Sequence, residues 1–188
     1  MVTSARGLRM EDADDQIALL LQVARDLLGA GDDARALAEA SRAVNQALSL
    51  RVDVARAWLV KCQVLAAQGD DGGALAAAEM AVRRAPRLAE AHYWRGALLG
   101  DLGHYRDGLR AIDRAFVHLG TNDAWLLEDL YYEKATMLEA VGERDAARAT
   151  FEAGLERCPG SQLLQNGIEP LARTRRPAPL KLLRGGLT

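Results

Sequence analysis

The chain has 188 residues, of which 49% are apolar and only 5% aromatic, and alanine supplies much of the apolar fraction. This composition suits closely packed helices better than sheets. The net charge of −2 argues against nucleic acid as a partner, although five of the 24 basic side chains and none of the 26 acidic ones follow residue 172.

The N-terminal fifteen residues contain four acids and no apolar run of the kind that a secretory signal peptide needs. No apolar run elsewhere approaches the ~18 residues that cross a bilayer. Cys62 and Cys158 lie far apart and outside any CxxC motif, which favours reduced thiols. We therefore expect a cytoplasmic protein without a membrane segment.

A 34-residue unit is written twice in the middle of the chain. Residues 55–88 align with residues 89–122 without a gap, and Trp58 and His92 share one slot. The same offset relates Cys62 to Gly96, Leu65 to Leu99, Gly69 to Gly103, Ala74 to Gly108, Ala78 to Ile112 and Ala81 to Ala115. Fixed periods of this length indicate stacked repeats. Two degenerate copies flank the pair, and glycines anchor the four copies at Gly31, Gly69, Gly103 and Gly142.

Each copy predicts two helices. Its apolar residues recur at spacings of four and three, which places them on one helix face, and the anchoring glycine stands where the first helix ends. A ninth helix with a polar outer side caps the stack, although Gly167 and Pro170 weaken it. In chain order, the predicted helices cover about 14–29, 33–49, 53–68, 71–84, 88–102, 105–118, 124–141, 144–157 and 161–174.

These elements define three segments. Residues 1–13 form an N-terminal segment, residues 14–174 the repeat domain, and residues 175–188 a basic tail that we expect to be flexible. The repeats cover about 17–54, 55–88, 89–127 and 128–160, followed by the cap at 161–174. Four extra residues precede the second copy, and five extra residues introduce a turn at 120–123 before the fourth.

The repeated slots resemble the tetratricopeptide repeat, whose 34-residue pattern has Trp, Leu, Gly, Tyr, Ala, Phe and Pro at fixed offsets. The second copy carries the pattern as Trp58, Cys62, Leu65, Ala74, Ala78, Ala81 and Pro86. The resemblance covers about residues 17–160, with Leu48 and Gly120 where the closing proline belongs. It implies an all-α, right-handed superhelix of four helix-turn-helix repeats plus a C-terminal capping helix. The first helices of such repeats line a concave groove that receives a peptide or helix.

The resemblance also indicates which side chains face the groove. The candidates are the residue after each Trp slot and its neighbours on the same helix face: Leu21, Arg25, Arg56, Leu59, Gln63, Glu90, Tyr93, Trp94, Asp129, Tyr132 and Thr136. Tyrosines with a few charges are typical of recognition surfaces. The alternative is that both tyrosines pack against neighbouring helices. Trp94 and Trp125 occupy no signature slot and are candidates for exposure. Co-chaperone members clamp a carboxylate with lysine and asparagine, but Leu21, Arg25 and Val60 stand at those positions here.

Basic residues follow the Trp slot at regular spacing. Lys61, Arg95 and Lys134 each stand three residues after it, and the acids Glu79, Asp113 and Glu152 follow 18 residues later. A partly buried cation between helices needs an anionic partner. We predict that each pairs with an acid of a second helix, within its unit or in the neighbouring one. The alternative is a set of surface charges whose stems pack on the helices.

No residue pattern indicates catalysis. The histidines His92, His104 and His118 lack metal-ligand spacing, and the chain has neither a phosphate-binding glycine loop nor a nucleophile elbow. We expect no enzyme, no cofactor and no metal, but an adaptor or chaperone-like module that binds a protein or peptide segment. One alternative is an assembly subunit that uses its edges or its basic tail. Another is an autoinhibited module with residues 177–188 in its own groove. The oligomeric state is left open.

Overall fold

The computed structural model describes residues 2–30 and 33–173, without the side chains of residues 2–11, 122, 172 and 173. Within those ranges the chain is helical and contains no strand. Its α-helices are α1 Val2–Gly29, α2 Ala34–Leu50, α3 Ala55–Ala67, α4 Asp71–Arg84, α5 Ala89–Asp101, α6 Tyr105–His118, α7 Leu127–Ala140, α8 Arg144–Arg157 and α9 Gln162–Arg173. A 3-10 helix, Thr121–Leu126, precedes α7. The basic tail at 175–188 lies outside the described residues.

The helices form four antiparallel pairs stacked in one direction. Each pair packs internally (α1 with α2 through α7 with α8), and its second helix packs on the first helix of the next pair, an interface called here the seam. Successive first helices also contact one another, from α1 with α3 to α7 with α9, whereas successive second helices do not within the described ranges. Because the first helices lie closer together, the stack curves with them on its inner side. The predicted all-α solenoid with a capping helix is confirmed.

Small side chains allow the helices to approach closely. Alanines fill many of the repeated slots and are fully buried: Ala74, Ala78, Ala81, Ala115 and Ala147. Between α5 and α6 even alanine is too large, because a Cβ built on Gly96 would lie 3.2 Å from the carbonyl oxygen of Gly108. Larger residues such as Ile112, Leu130 and Phe151 fill the remaining core. This packing explains the alanine-rich composition.

Glycines end the first helices as the sequence predicts. Gly69, Gly103 and Gly142 have φ angles of 77°, 78° and 86°. After Gly69, the N–H of Asp70 donates to the carbonyl of Leu65 at 2.9 Å, the bond that closes a helix in a Schellman motif. Gly160 before α9 adopts the same conformation, with a φ of 88°. The fourth predicted bend, Gly31, lies outside the described residues.

Two predicted helix starts differ from the structure. α1 begins at Val2 rather than near residue 14, because residues 2–13 contain no proline and several good helix formers. The helix predicted from 124 begins at Leu127, after the 3-10 turn, in which the Asp123 carboxylate accepts the Gly120 N–H at 2.9 Å. In the cap, Leu164 and Leu171 are buried, whereas Leu163 is 36% exposed.

Two of the three basic residues after the Trp slot, Arg95 and Lys134, form ion pairs across the seam. Arg95 Nε lies 3.9 Å from Glu79 Oε1, and Lys134 Nζ lies 2.7 Å from Asp113 Oδ1. Each cation therefore meets the acid of the preceding unit. The prediction for Lys61 is wrong, because it has no ion pair within the described residues. Lys61 has Ser41 at the equivalent place in the preceding unit, and its ammonium lies over the Trp58 ring, 5.5 Å from the centroid.

Candidate functional site on the inner face

The inner face is the side of α1, α3, α5 and α7 that points away from the second helices. The structure leaves most of the candidate residues there at least partly exposed. Arg25 and Arg56 are exposed. Those that are half-buried are Gln63, Glu90, Tyr93, Trp94, Asp129, Tyr132 and Thr136. The prediction that Leu21 faces the groove is wrong, because Leu21 is 5% exposed and belongs to the core that α1 forms with α2 and α3. The prediction for Leu59, in the same slot of the next unit, is corrected as well, because it is 3% exposed and belongs to a core cluster with Ala81 and Ala91.

Five of the candidates line one cavity of about 280 Å³, called here the arginine pocket. Its lining residues are Arg25, Arg56, Leu59, Val60, Gln63, Leu88, Glu90, Asp123 and Trp125. Residues from α1, α3 and the start of α5 meet here with the 3-10 turn. Asp123 and Trp125 were not among the predicted groove residues. The sequence signal for them is the five-residue insertion before the fourth unit, which carries both.

The acid Glu90 lies inside the arginine pocket between opposing influences. Burial, the largest cause, raises the pKa of Glu90, and nearby Arg25 and Arg56 lower it. Asp123 raises it further, and a hydrogen bond from Trp94 lowers it. The amide Nε2 of Gln63 also lies 3.5 Å from Glu90 Oε1. Glu90 is thus held by its own chain, while Trp125 at 59% exposed remains open to solvent.

A second group on the inner face is acidic and is called here the acidic patch: Asp101, Asp129 and Glu133, with Tyr93 beside them. Burial raises the pKa of Glu133 to about 7, and Asp101 and Asp129 add to the rise. Burial is also the main cause of the raised pKa values of Asp101, Asp129 and Tyr93. Glu133 and Asp101 were not predicted. Asp129 and Glu133 are four residues apart on α7, the one sequence signal that they share a face.

The aromatic candidates divide between packing and exposure. The Tyr132 ring packs edge-on against Phe151 of α8, with 6.2 Å between centroids, which fits the packing alternative. Tyr93 meets Trp94 edge-on at 5.6 Å, and Trp94 packs on the apolar core around α3 and α4. Tyr93 also packs on the core that α5 forms with α6 and α7, and it lies beside the acidic patch. Trp94 is next to Glu90 of the arginine pocket, to which it donates a hydrogen bond.

The described histidines and cysteines neither line the arginine pocket nor belong to the acidic patch. No group of His, Cys, Asp and Glu in the described part of the chain could hold a metal ion. His92 is buried, with Nε2 2.8 Å from the Pro86 carbonyl oxygen and its ring stacked on His118 at 5.4 Å. Both cysteines are free, and burial raises the pKa of Cys62 to about 12. None of the described helices is long and apolar enough to span a membrane.

Comparison with known proteins finds similar structures without similar sequences. No protein-family model matches the chain, and no curated protein matches it. The crystal structure of YrrB, a TPR protein with an unusual peptide-binding site, is 23% identical and has a TM-score of 0.65, with 91% of this chain and 81% of that one covered. TTC0263, a thermophilic TPR protein of Thermus thermophilus, is 20% identical with a TM-score of 0.57, covering 90% of this chain and 96% of that one. MamA is 19% identical with a TM-score of 0.65, covering 83% and 82%. At these identities the likeness establishes the fold alone.

Proposed function

Because the chain has the tetratricopeptide-repeat fold, we propose that it is a non-catalytic cytoplasmic interaction module that binds a protein or peptide segment along its inner face. The observation that carries this proposal is the concentration of charged and aromatic groups on a side of the stack that no other element of the described residues covers. The arginine pocket lies towards α1, and the acidic patch lies on α5 and α7. One structural relative is described as having a peptide-binding site.

The charges of the acidic patch support this role. Glu133 and Asp129 lie close together in a partly desolvated setting that raises both pKa values. No ion pair within 4 Å joins either acid to a cation in the described residues. Like charges brought together without a counterion reduce stability, and a partner with a basic group would relieve that repulsion. A binding role accounts for this arrangement better than a structural one.

A capture experiment tests the binding role. The intact chain and a Tyr93→Ala, Asp129→Asn variant are immobilised, and the proteins captured from the native cytoplasm are compared. The matched control is Tyr105→Ala, Asp107→Asn on α6, where both side chains are exposed away from the inner face. We expect the inner-face variant to lose captured proteins that the control retains. Equal capture by all three would overturn the proposal, provided that their circular dichroism spectra agree.

A second candidate function, assembly, is favoured by one observation at the end of the stack. Leu19 and Val23 of α1 are 65% and 41% exposed. In the later units the equivalent of Leu19 is buried at the seam, as with Ala57 and Ala91, both 0% exposed. We propose that this free seam position packs on a helix of another subunit. Light scattering of the intact chain and of a Leu19→Gln, Val23→Gln variant tests it. A mass that depends on concentration only in the intact chain supports assembly, and a constant monomer in both contradicts self-association.

A further inference from the structure

The arginine pocket has donors that the chain does not use. Within the described residues, neither Arg25 nor Arg56 has an ion pair within 4 Å or a hydrogen bond. Both side chains are exposed, and they reach the same cavity from different helices, α1 and α3. Two guanidinium groups facing one cavity can bind a carboxylate through charge-assisted hydrogen bonds.

The acids of the pocket are already engaged. Glu90 accepts hydrogen bonds from Gln63 and Trp94, and Asp123 accepts the Gly120 N–H. The two arginines lie close enough to Glu90 to lower its pKa, so the charges of the pocket interact with one another. The pocket contains two positive and two negative side chains. Of these four, only the two arginines lack hydrogen-bond partners within the described part of the chain.

The end of α5 adds positive potential. Leu88, the N-cap residue of α5, lines the pocket and has no side chain that can accept from the first-turn N–H groups. An uncapped helix N-terminus favours a nearby anion. Glu90 in the first turn offsets part of this potential. The helix end supports the arginine pair and does not define the site alone.

Apolar surface completes the pocket. Leu59 and Val60 are 3% and 1% exposed and form its floor, while the exposed Trp125 forms a wall. The insertion before the fourth unit supplies this wall, so a regular 34-residue unit would lack it. A cavity of about 280 Å³ has room for one side chain with its adjoining main chain.

From this arrangement we infer that the arginine pocket binds an aspartate or glutamate side chain of the partner segment, with Arg25 and Arg56 on its carboxylate and Trp125 against its apolar stem and the adjoining main chain. The inference rests on the proposed binding at the inner face and specifies which kind of partner side chain the arginine pocket binds. The negative charges of Glu90 and Asp123 disfavour a second anion beside the first.

A peptide selection tests the assignment. Random 12-residue peptides are displayed as N-terminal fusions to a phage coat protein, which leaves them without a free C-terminus, and are selected on the intact chain. We expect the enriched peptides to share an Asp or Glu at one position. Their acetylated and amidated synthetic forms are then measured by fluorescence anisotropy, with that residue replaced by Asn or Gln. The protein variants are Arg25→Gln, Arg56→Gln and, as a control with the same loss of charge, Arg83→Gln, Arg84→Gln on α4.

The expected result is a coupled loss of affinity. Neutralising the acidic residue of the peptide, or the two pocket arginines, should weaken binding about tenfold or more, because either change removes charge-assisted hydrogen bonds between peptide and pocket. Making both changes weakens it little further, because the same contact is removed twice. The control variant stays within about twofold, and Trp125→Ala weakens binding while the circular dichroism spectrum is unchanged. Enriched peptides without a common acidic position would overturn the inference. Neutralising the acidic residue of the peptide would also overturn it if the affinity fell equally for the intact chain and for the arginine variant.

Two further outcomes separate this inference from the proposed function. Peptides whose binding depends on Tyr93 and Asp129 but not on Arg25 or Arg56 would leave the inner face standing and remove the pocket assignment. No enrichment, or binding insensitive to all four residues, would remove both. A parallel library displays peptides with free C-termini. If only that library yields binders, and if amidation of their C-termini abolishes binding, the pocket binds a terminal carboxylate and the side-chain inference is wrong.

Discussion

Lys134 of the fourth unit donates to Asp113 of the third, with 2.7 Å between Nζ and Oδ1, rather than to Glu152 of its own hairpin. Arg95 and Glu79 repeat the relationship one unit earlier, at 3.9 Å. The pairs therefore connect units to one another and do not reinforce single hairpins. Their contribution belongs to the coupling between neighbours, which determines how cooperatively a repeat array unfolds.

This geometry predicts a small coupling at the seam. A double-mutant cycle with Lys134→Met and Asp113→Asn should give a coupling free energy of about 0.5 kcal/mol in urea unfolding, since both side chains are partly exposed and screened by solvent. The control cycle combines Lys134→Met with Glu152→Gln and should give none. A larger coupling with Glu152 than with Asp113 would show that the ion pair forms within the hairpin.

Gly103 is expected to tolerate no side chain at its bend. Its φ of 78° lies in the left-handed region, where an L-residue costs about 1 kcal/mol or more. Gly103→Ala should lower the free energy of unfolding by that amount in urea titrations. Gly29→Ala is the matched control, since a Cβ there meets nothing within 4 Å and its φ is not positive. Equal losses in the two variants would contradict the explanation.

Gly108 should resist substitution for a different reason, the closeness of α5 and α6. A Cβ at Gly108 would lie 3.0 Å from the carbonyl oxygen of Gly96 and 3.4 Å from the backbone nitrogen of Gly100. Backbone atoms cannot move aside as a side chain can, so Gly108→Ala should cost about 1–3 kcal/mol. Gly72→Ala, whose Cβ would meet only Asp70 Oδ1 at 3.9 Å, should be neutral or stabilising by up to about 1 kcal/mol. Chemical denaturation of both variants makes the comparison.

Glu133 should make stability depend on pH. Its folded-state pKa of about 7 lies above the usual value of 4.5, so the folded chain binds more protons than the unfolded chain between those values. Stability should therefore fall as pH rises from about 4.5 to 7 and remain low above it. Glu133→Gln should flatten this dependence and raise the free energy of unfolding at pH 8, on the order of 1–3 kcal/mol.

Urea titrations at pH 5, 6, 7 and 8 measure the effect of Glu133. Glu152→Gln, on the exposed outer side of α8, provides the control and should leave the slope with pH as it is in the intact chain. A Glu133→Gln profile parallel to that of the intact chain would show that this carboxylate titrates in its ordinary range.

The repeat register could be read from the sequence because it rests on local chemistry. Only glycine is cheap at the φ angles of Gly69, Gly103 and Gly142, and only small residues fit the slots at Ala74 and Ala78. Both requirements recur at the 34-residue period, so the pattern identifies the helices and their bends without knowledge of the packing.

The groove and the seam could be read only in part, since they depend on how units approach one another. The sequence left two partners possible for Lys134, and the distance between the stacked helices chose Asp113. Leu21 and Leu59 have the spacing of groove residues, but both are buried among the neighbouring helices. The place of Trp125 follows from the path of an irregular turn, which periodicity does not predict.

Within the described residues, two α-helices pack backbone to backbone only if they are one or two places apart along the chain. Contacts so short in sequence bring little loop-closure penalty, and chains of this kind fold in microseconds to milliseconds. The first hairpins can also close while later ones are still being synthesised, because at about 5–20 residues per second translation is far slower than helix pairing. In a nascent chain, the helices that carry Arg25 and Arg56 would therefore be folded before Trp125, which completes the arginine pocket, leaves the ribosome.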